Sequence, residues 1–366
     1  MKLTRLTVLL TFIFTIGALM TTKSPAAYTN QDKSKGPDTM KFMETLSVVK
    51  KMLFDKSDRA PRARLPEVTP DLKAFLAPSD FLKFIWFGHS TLLLNVDSRT
   101  ILIDPVFHNA SPVSFLVQRF QPPVVKLKDL PPVDIIVISH DHYDHLDEKT
   151  VMFFKDKSTR FLVPKGVGAH LRDWGIADSR ISELGWNESV LDHEITFRAV
   201  PAQHFSGRGL FDRNESLWAS WIIEGKQEKI YYSGDSGYGP HFKEIGDKYG
   251  PFDYAFMENG QYNERWPDVH MQPEESLQAL IDLNAEIYIP VHWGMFDLSL
   301  HHWAEPIIRT HTFAKNWDIQ IITPRLGEIV DATNRPDSPW WEEVAFATTT
   351  ETVPNRHIVI PELATK

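Results

Sequence analysis

Four side chains of types that commonly bind metal ions lie within six consecutive positions of this 366-residue chain. They directly follow the largely apolar run 133–138, which predicts a β-strand that ends in a loop. Because side chains alternate along an extended chain, His140 and His142 can point to the same side. Asp144 and His145 follow the turn and can face a second ion. A polar surface turn is the alternative for a lone histidine pair, but four ligands in this setting predict a two-metal hydrolase.

Three further candidate ligands, His204, Asp235 and His292, each follow a predicted strand. Taken singly, a histidine in such a place more often forms a structural hydrogen bond, and Asp235 could cap a turn. Taken with the first motif, the seven residues complete a dinuclear set. In this set one ion is held by His140, His142 and His204, the other by Asp144, His145 and His292, and Asp235 bridges the two.

The chemistry of such a set follows from its donor atoms. Two cations about 3.5–4 Å apart lower the pKa of a shared water toward neutrality, so hydroxide would be the nucleophile. The chain has no cysteine, which excludes thiolate ligands and disulfides. Imidazole and carboxylate ligands favour two Zn²⁺ ions, with Mn²⁺ or Fe²⁺ as alternatives. The formal net charge of −9 argues against nucleic acid as a partner, because phosphate binding needs a basic surface.

The N-terminal part of the chain differs in composition from the rest. Residues 1–27 begin with the basic residues Lys2 and Arg5, which are followed by an apolar run and then by small residues. This order predicts an export signal and a periplasmic or secreted protein, with an uncleaved membrane anchor as the alternative. An N-terminal extension, 28–80, follows. Within it, residues 41–64 carry seven Lys or Arg against three Asp or Glu, a net charge of +4. This stretch predicts either peripheral contact with an anionic membrane or an amphipathic helix that packs on the domain.

The catalytic elements are expected between residues 81 and 330, with a C-terminal tail at 331–366. From residue 84 onward, short β-rich runs form tight hairpins and later alternate with helical patterns such as 273–281. This order predicts an α+β fold in which a mixed sheet is covered by helices.

The motif at 140–145, the strand-end His204, the Gly234-Asp235 step and the stretch 291–294 resemble those of the metallo-β-lactamase-fold hydrolases. Within that superfamily the chain looks most like the N-acylphosphatidylethanolamine-hydrolysing phospholipase D branch and its bacterial relatives, over roughly residues 81–330. The resemblance implies an αββα sandwich of two mixed β-sheets flanked by helices, with two zinc ions at one sheet edge. It also implies hydrolysis of a membrane phospholipid to a phosphatidic acid and an N-acylated amino alcohol.

The resemblance also assigns roles to residues outside the seven ligands. His270 matches a family position close to the scissile group, so we predict that it acts in catalysis by donating a proton or orienting the phosphate. A helix-entry histidine that faces solvent is the alternative. Asp144, one of the predicted metal ligands, is the other residue expected to be catalytic. His89 and Asp104 are expected to support the metal ligands from behind.

Two departures from the branch lie where the substrate would enter. The stretch 257–263 replaces an Ile-Gly-Ala-Tyr-like turn, and Phe205 replaces the tryptophan that often follows the strand-end histidine. The same site chemistry also fits a lactonase or another hydrolase of small-molecule esters or amides. An inactive binding module is the third interpretation, although such modules typically lose ligands and this chain carries all seven.

Overall fold

Fourteen strands form two seven-stranded sheets in the computed structural model, which describes residues 28–32, 48, 50–51, 58–111, 117–209 and 211–346. The predicted export signal, most of 41–64 and the last twenty residues lie outside these ranges. Among the described residues, no helix is both long and apolar enough to cross a membrane. The two sheets stack face to face with helices on their outer surfaces, which confirms the αββα sandwich expected from the sequence.

Each sheet is antiparallel in one half and parallel in the other. The first sheet has the order β14-β1-β2-β3-β4-β5-β6 and is parallel from β3 onward. Its strands are β1 Lys83–Trp86, β2 Leu92–Val96, β3 Arg99–Ile103, β4 Ile135–Val137, β5 Arg160–Pro164, β6 Ile181–Leu184 and β14 Ile329–Val330. The second sheet has the order β13-β12-β11-β10-β9-β8-β7 and is parallel from β10 to β13. Its strands are β7 Ser189–Asp192, β8 Ile195–Val200, β9 Ser220–Glu224, β10 Lys229–Tyr232, β11 Phe252–Glu258, β12 Ala285–Val291 and β13 Gln320–Ile321.

Helices cover the outer faces of both sheets. They are α1 Leu72–Leu76, α2 Glu148–Phe153, α3 Val167–Asp173, α4 His241–Tyr249, α5 Pro273–Asp282, α6 Glu305–Asn316 and α7 Trp341–Ala345. Three of them begin at side-chain caps. Asp71 accepts the amides of Lys73 and Ala74 ahead of α1, Asp147 accepts the Lys149 amide ahead of α2, and Gln272 with Glu275 forms a capping box ahead of α5.

Three apolar clusters follow from the alternation of side chains along the strands. In β3, Ile101 and Ile103 face the second sheet, whereas Leu102 faces the outer helices. The central parallel strands β4 and β11 are buried on both faces, as expected for parallel strands covered by helices. The stretch after residue 331 also contributes, because Trp340 and Trp341 are buried and the Trp340 ring stacks on Trp293 at 5.5 Å.

Candidate metal centre

All seven predicted ligands lie at one edge of the sandwich. The carboxyl ends of β4, β8, β10 and β12 meet at this edge, and each continues into a loop that carries ligands. Close approach of two loops requires a glycine. Gly234 has a φ of +56°, and a Cβ there would lie 2.7 Å from the Cβ of Ser139. Gly234 therefore allows the β10 loop, which carries Asp235, to come directly beside the β4 loop, which carries His140.

The first cluster of ligand atoms comes from both sheets. Its members, whose ligand atoms lie within 4.8 Å of one another, are His140, His142, His204 and Asp235. His140 Nε2 and His204 Nε2 lie 2.8 and 3.3 Å from His142 Nδ1. Oδ2 of Asp235 lies 3.9 Å from His140 Nε2 and 3.7 Å from His204 Nε2. Three imidazoles and one carboxylate oxygen thus converge on one point.

The second cluster shares the same bridging carboxylate. It brings together Asp144, His145, His292 and His89. The other oxygen of Asp235, Oδ1, lies 3.1 Å from His145 Nε2 and 3.1 Å from His292 Nδ1. Because its two oxygens face different clusters, Asp235 lies between them, in the position that a bridging ligand would take.

His89 and Asp104 lie where they can orient ligands. His89 Nε2 is 3.0 Å from Oδ2 of Asp144. A ring nitrogen of His89 also lies within 4.8 Å of the ligand atoms of Asp144, His145 and His292. Oδ2 of Asp104 is 2.7 Å from His145 Nδ1, and Asp104 also accepts hydrogen bonds from Ser139 and Tyr232. When His145 donates its Nδ1 proton to Asp104, its Nε2 lone pair faces the two clusters, as metal binding requires.

The protonation state of four of the five imidazole ligands suits metal binding. Burial lowers the pKa of His142 to about 4 and holds those of His140, His204 and His292 well below the usual value, so these rings are neutral. Burial alone would also lower the pKa of His145, but three nearby carboxylates raise it well above its usual range. These carboxylates therefore favour positive charge at that position.

Two buried atoms at the centre test whether a metal would fit. Nε2 of His145 and Oδ1 of Asp235 are buried, and although they lie 3.1 Å apart, neither makes a hydrogen bond of acceptable geometry within the described part of the chain. A buried polar atom without a partner costs about 1–3 kcal/mol, and a cation between the clusters would remove this cost. Neutral imidazoles, carboxylates and these two atoms together fit a pair of divalent cations.

Glu258 is a residue of this site that the sequence analysis did not identify. It ends β11, it is fully buried, and its Oε2 lies 2.9 Å from Nδ1 of His270. Its carboxyl group also accepts the backbone amides of Met271 and Ser236. The His270 ring stacks on His292 at 5.3 Å, so this histidine faces the metal ligands rather than solvent. The signal that revealed the ligands, a polar residue directly after an apolar strand, is also present at Glu258.

The fold and the two clusters define a metal-dependent hydrolase. A family model described as a beta-lactamase superfamily domain matches residues 99–293, and the chain belongs to that superfamily. It is 43% identical to an uncharacterised protein of Mycobacterium tuberculosis over 83% of this chain and 82% of that protein. It is also 34% identical to N-acyl-phosphatidylethanolamine-hydrolyzing phospholipase D 1 of Caenorhabditis elegans, over 68% of this chain and 76% of that enzyme.

A solved structure has the same fold. The metallo-hydrolase Igni18 of Ignicoccus hospitalis superposes with a TM-score of 0.53 at 22% identity, over 68% of this chain and 97% of that one. These comparisons confirm the resemblance stated from the motifs.

Proposed function

We propose that this protein is a dinuclear zinc phosphodiesterase of the phospholipase D type, acting on N-acylated phosphatidylethanolamine or a related phospholipid. The observation that carries the proposal is the position of Asp235, whose two oxygens face two separate groups of ligand atoms. The similarity to the Caenorhabditis elegans enzyme supports the substrate class. When bound, two cations would lower the pKa of a shared water and neutralise charge on a phosphodiester.

A cleft of about 560 Å³ beside the metal loop supports an amphiphilic substrate. Tyr143, which lies between two metal ligands, forms part of its wall, and the rings of Phe107 and Phe120 add apolar surface. Arg119, Arg208 and Lys149 also line the cleft, against the two carboxylates of Asp147 and Glu148. Apolar rings together with guanidinium groups suit a ligand that has both acyl chains and negative charge. Contact of residues 41–64 with a membrane, and export directed by 1–27, would bring the protein to such a lipid.

His270 and Glu258 supply the proton chemistry in this proposal. Hydrolysis adds hydroxide to phosphorus and breaks the bond to the amino-alcohol oxygen, which must then gain a proton. His270 contacts the ring of His292 and is held by Glu258 through Nδ1, so it is placed to deliver a proton at the reacting group. Glu258 acts by orienting the His270 ring.

Isotope labelling tests the reaction type directly. Purified protein is incubated with N-acylphosphatidylethanolamine in H₂¹⁸O, beside a panel of lactones, and the products are analysed by mass spectrometry. We expect phosphatidic acid that carries the ¹⁸O and an unlabelled N-acylethanolamine, because attack occurs at phosphorus. Turnover of lactones alone, or ¹⁸O in a released fatty acid, would show instead an ester or amide hydrolase.

Paired substitutions test the proton chemistry. We expect His270→Ala to lower kcat about 100-fold, Glu258→Gln about tenfold, and the double variant to be no worse than His270→Ala, because Glu258 acts through His270. Steady-state kinetics and metal analysis of each variant provide the measurement, with unchanged metal content expected. His193→Ala, at a histidine whose side chain is 65% exposed, serves as the control. Additive losses for the two positions would contradict a shared role.

A further inference from the structure

Residues 28–32, in the N-terminal extension, lie against the loop that carries His204. Asn30 is 174 positions away from this ligand along the chain. The Nδ2 of Asn30 donates to the His204 carbonyl oxygen at 2.9 Å, and the Oδ1 of Asn30 accepts the His204 amide at 3.1 Å. One side chain therefore binds both backbone polar groups of one metal ligand.

His204 needs such a partner because it lies beyond the sheet. The strand before it, β8, ends at Val200, so no strand pairs with the backbone at His204. An amide side chain carries a donor and an acceptor on one planar group, which matches the amide and carbonyl of a single residue. The indole Nε1 of Trp218 also donates to Oδ1 of Asn30, at 3.1 Å. This third bond distinguishes the oxygen of Asn30 from its nitrogen and fixes the orientation of the amide.

The ring of His204 is held separately. Its Nδ1 lies 3.0 Å from the carbonyl oxygen of Val269, so its Nε2 points to His142 and Asp235. A second contact joins the same N-terminal segment to the far side of the loop, because the Tyr28 amide donates to the carbonyl of Asn214 at 3.1 Å. Backbone and ring are thus fixed by different partners, and the backbone contact belongs to the N-terminal segment.

From this geometry we infer that Asn30 is a positioning residue of the metal centre. It holds the His204 backbone so that Nε2 meets the ion bound by His140, His142 and His204, and it makes residues 28–32 a part of the site. The inference rests on the proposed dinuclear centre. It requires that loss of Asn30 weakens the binding of this ion selectively, because the other ion is bound by residues that Asn30 does not contact.

The test compares the full-length chain with its Asn30→Ala, Asn30→Asp and Gln31→Ala variants. The affinity of each of the two metal positions for Zn²⁺ is measured by competition with a chromophoric chelator. Visible spectra of the Co²⁺-loaded protein report the ligand field, and thermal unfolding of the metal-free protein reports folding. We expect Asn30→Ala to lower the affinity for the ion held by His140, His142 and His204 about tenfold, as found for residues that orient metal ligands. The affinity for the other ion should not change. Asn30→Asp keeps the acceptor but loses the donor, so a smaller loss is expected. Gln31, which is exposed, serves as the matched control.

The results separate this inference from the proposed function. Wild-type affinity for both ions in Asn30→Ala would overturn the role of Asn30 while leaving the metal centre intact. An equal loss at both ions, with a matching fall in the unfolding temperature of the metal-free protein, would also overturn it, because that pattern indicates general destabilisation. A wild-type protein that binds no metal at all would refute the dinuclear centre itself, and the inference with it.

Discussion

Replacing Asp235 by Asn is expected to lower kcat by roughly 10³-fold or more, which corresponds to about 4 kcal/mol of transition-state stabilisation. The two carboxylate oxygens of Asp235 face different ligand clusters, at 3.1 Å from His145 and 3.7 Å from His204. An amide offers only one oxygen as a ligand, so it cannot bridge two cations. Metal analysis and steady-state kinetics on the purified variant provide the measurement, and we expect fewer than two ions per chain.

A control variant separates this effect from the general loss of a buried carboxylate. Asp192 is also buried, but it is the last residue of β7, in the hairpin that β7 forms with β8, and it pairs with Arg160. Asp192→Asn is expected to lower the unfolding temperature while retaining metal content and most of kcat. If Asp235→Asn kept two ions and wild-type kcat, the bridging role would be refuted.

Removal of metal by a chelator is expected to abolish hydrolysis and to lower the midpoint of thermal unfolding by about 5–10 °C. The expected loss of stability is about 4 kcal/mol for an ion present at a thousand times its dissociation constant. The structural reason is that buried polar atoms at the centre, such as Nε2 of His145, would lose their partner. Calorimetry of the stripped protein, before and after addition of Zn²⁺, measures the change.

The chelator result has its own control. Asp235→Asn, which is expected to bind metal poorly, should show a smaller change in unfolding temperature on chelation than the wild type. Activity that survives complete removal of metal, confirmed by elemental analysis, would contradict a metal-dependent mechanism. Restoration of activity by Mn²⁺ or Fe²⁺ but not by Zn²⁺ would keep the mechanism and change the metal.

The fold and the superfamily could be predicted from the sequence because their signals are local. The run 133–138 and the ligands His140 to His145 are contiguous, and each remaining ligand follows its own apolar strand. A mixed sheet covered by helices follows from hairpins that later give way to strand and helix alternation, whereas the αββα sandwich of two sheets is implied by the resemblance of the motifs to those of the superfamily. These patterns depend on neighbours within a few positions, so they are visible without a structure.

Asn30 and Glu258 could not be predicted in the same way because each meets its partner only where separate elements of the fold come together. Asn30 meets His204 across 174 positions, and Glu258 meets His270 only because β11 and the segment before α5 are brought together at the sheet edge. The backbone also adopts conformations that residue type does not reveal. His89 and His292 have φ values of 52° and 66°, which non-glycine residues adopt rarely. Such strain marks functional sites but becomes visible only in three dimensions.

The division of the ligands between the two sheets has a mechanical consequence. His140 and His142 come from the first sheet, whereas His204 and Asp235 come from the second. A cation held by all four is a cross-link between the halves of the sandwich. Neither sheet alone carries all four ligands. Binding of a cation by all four would therefore indicate that both sheets have folded and packed against each other.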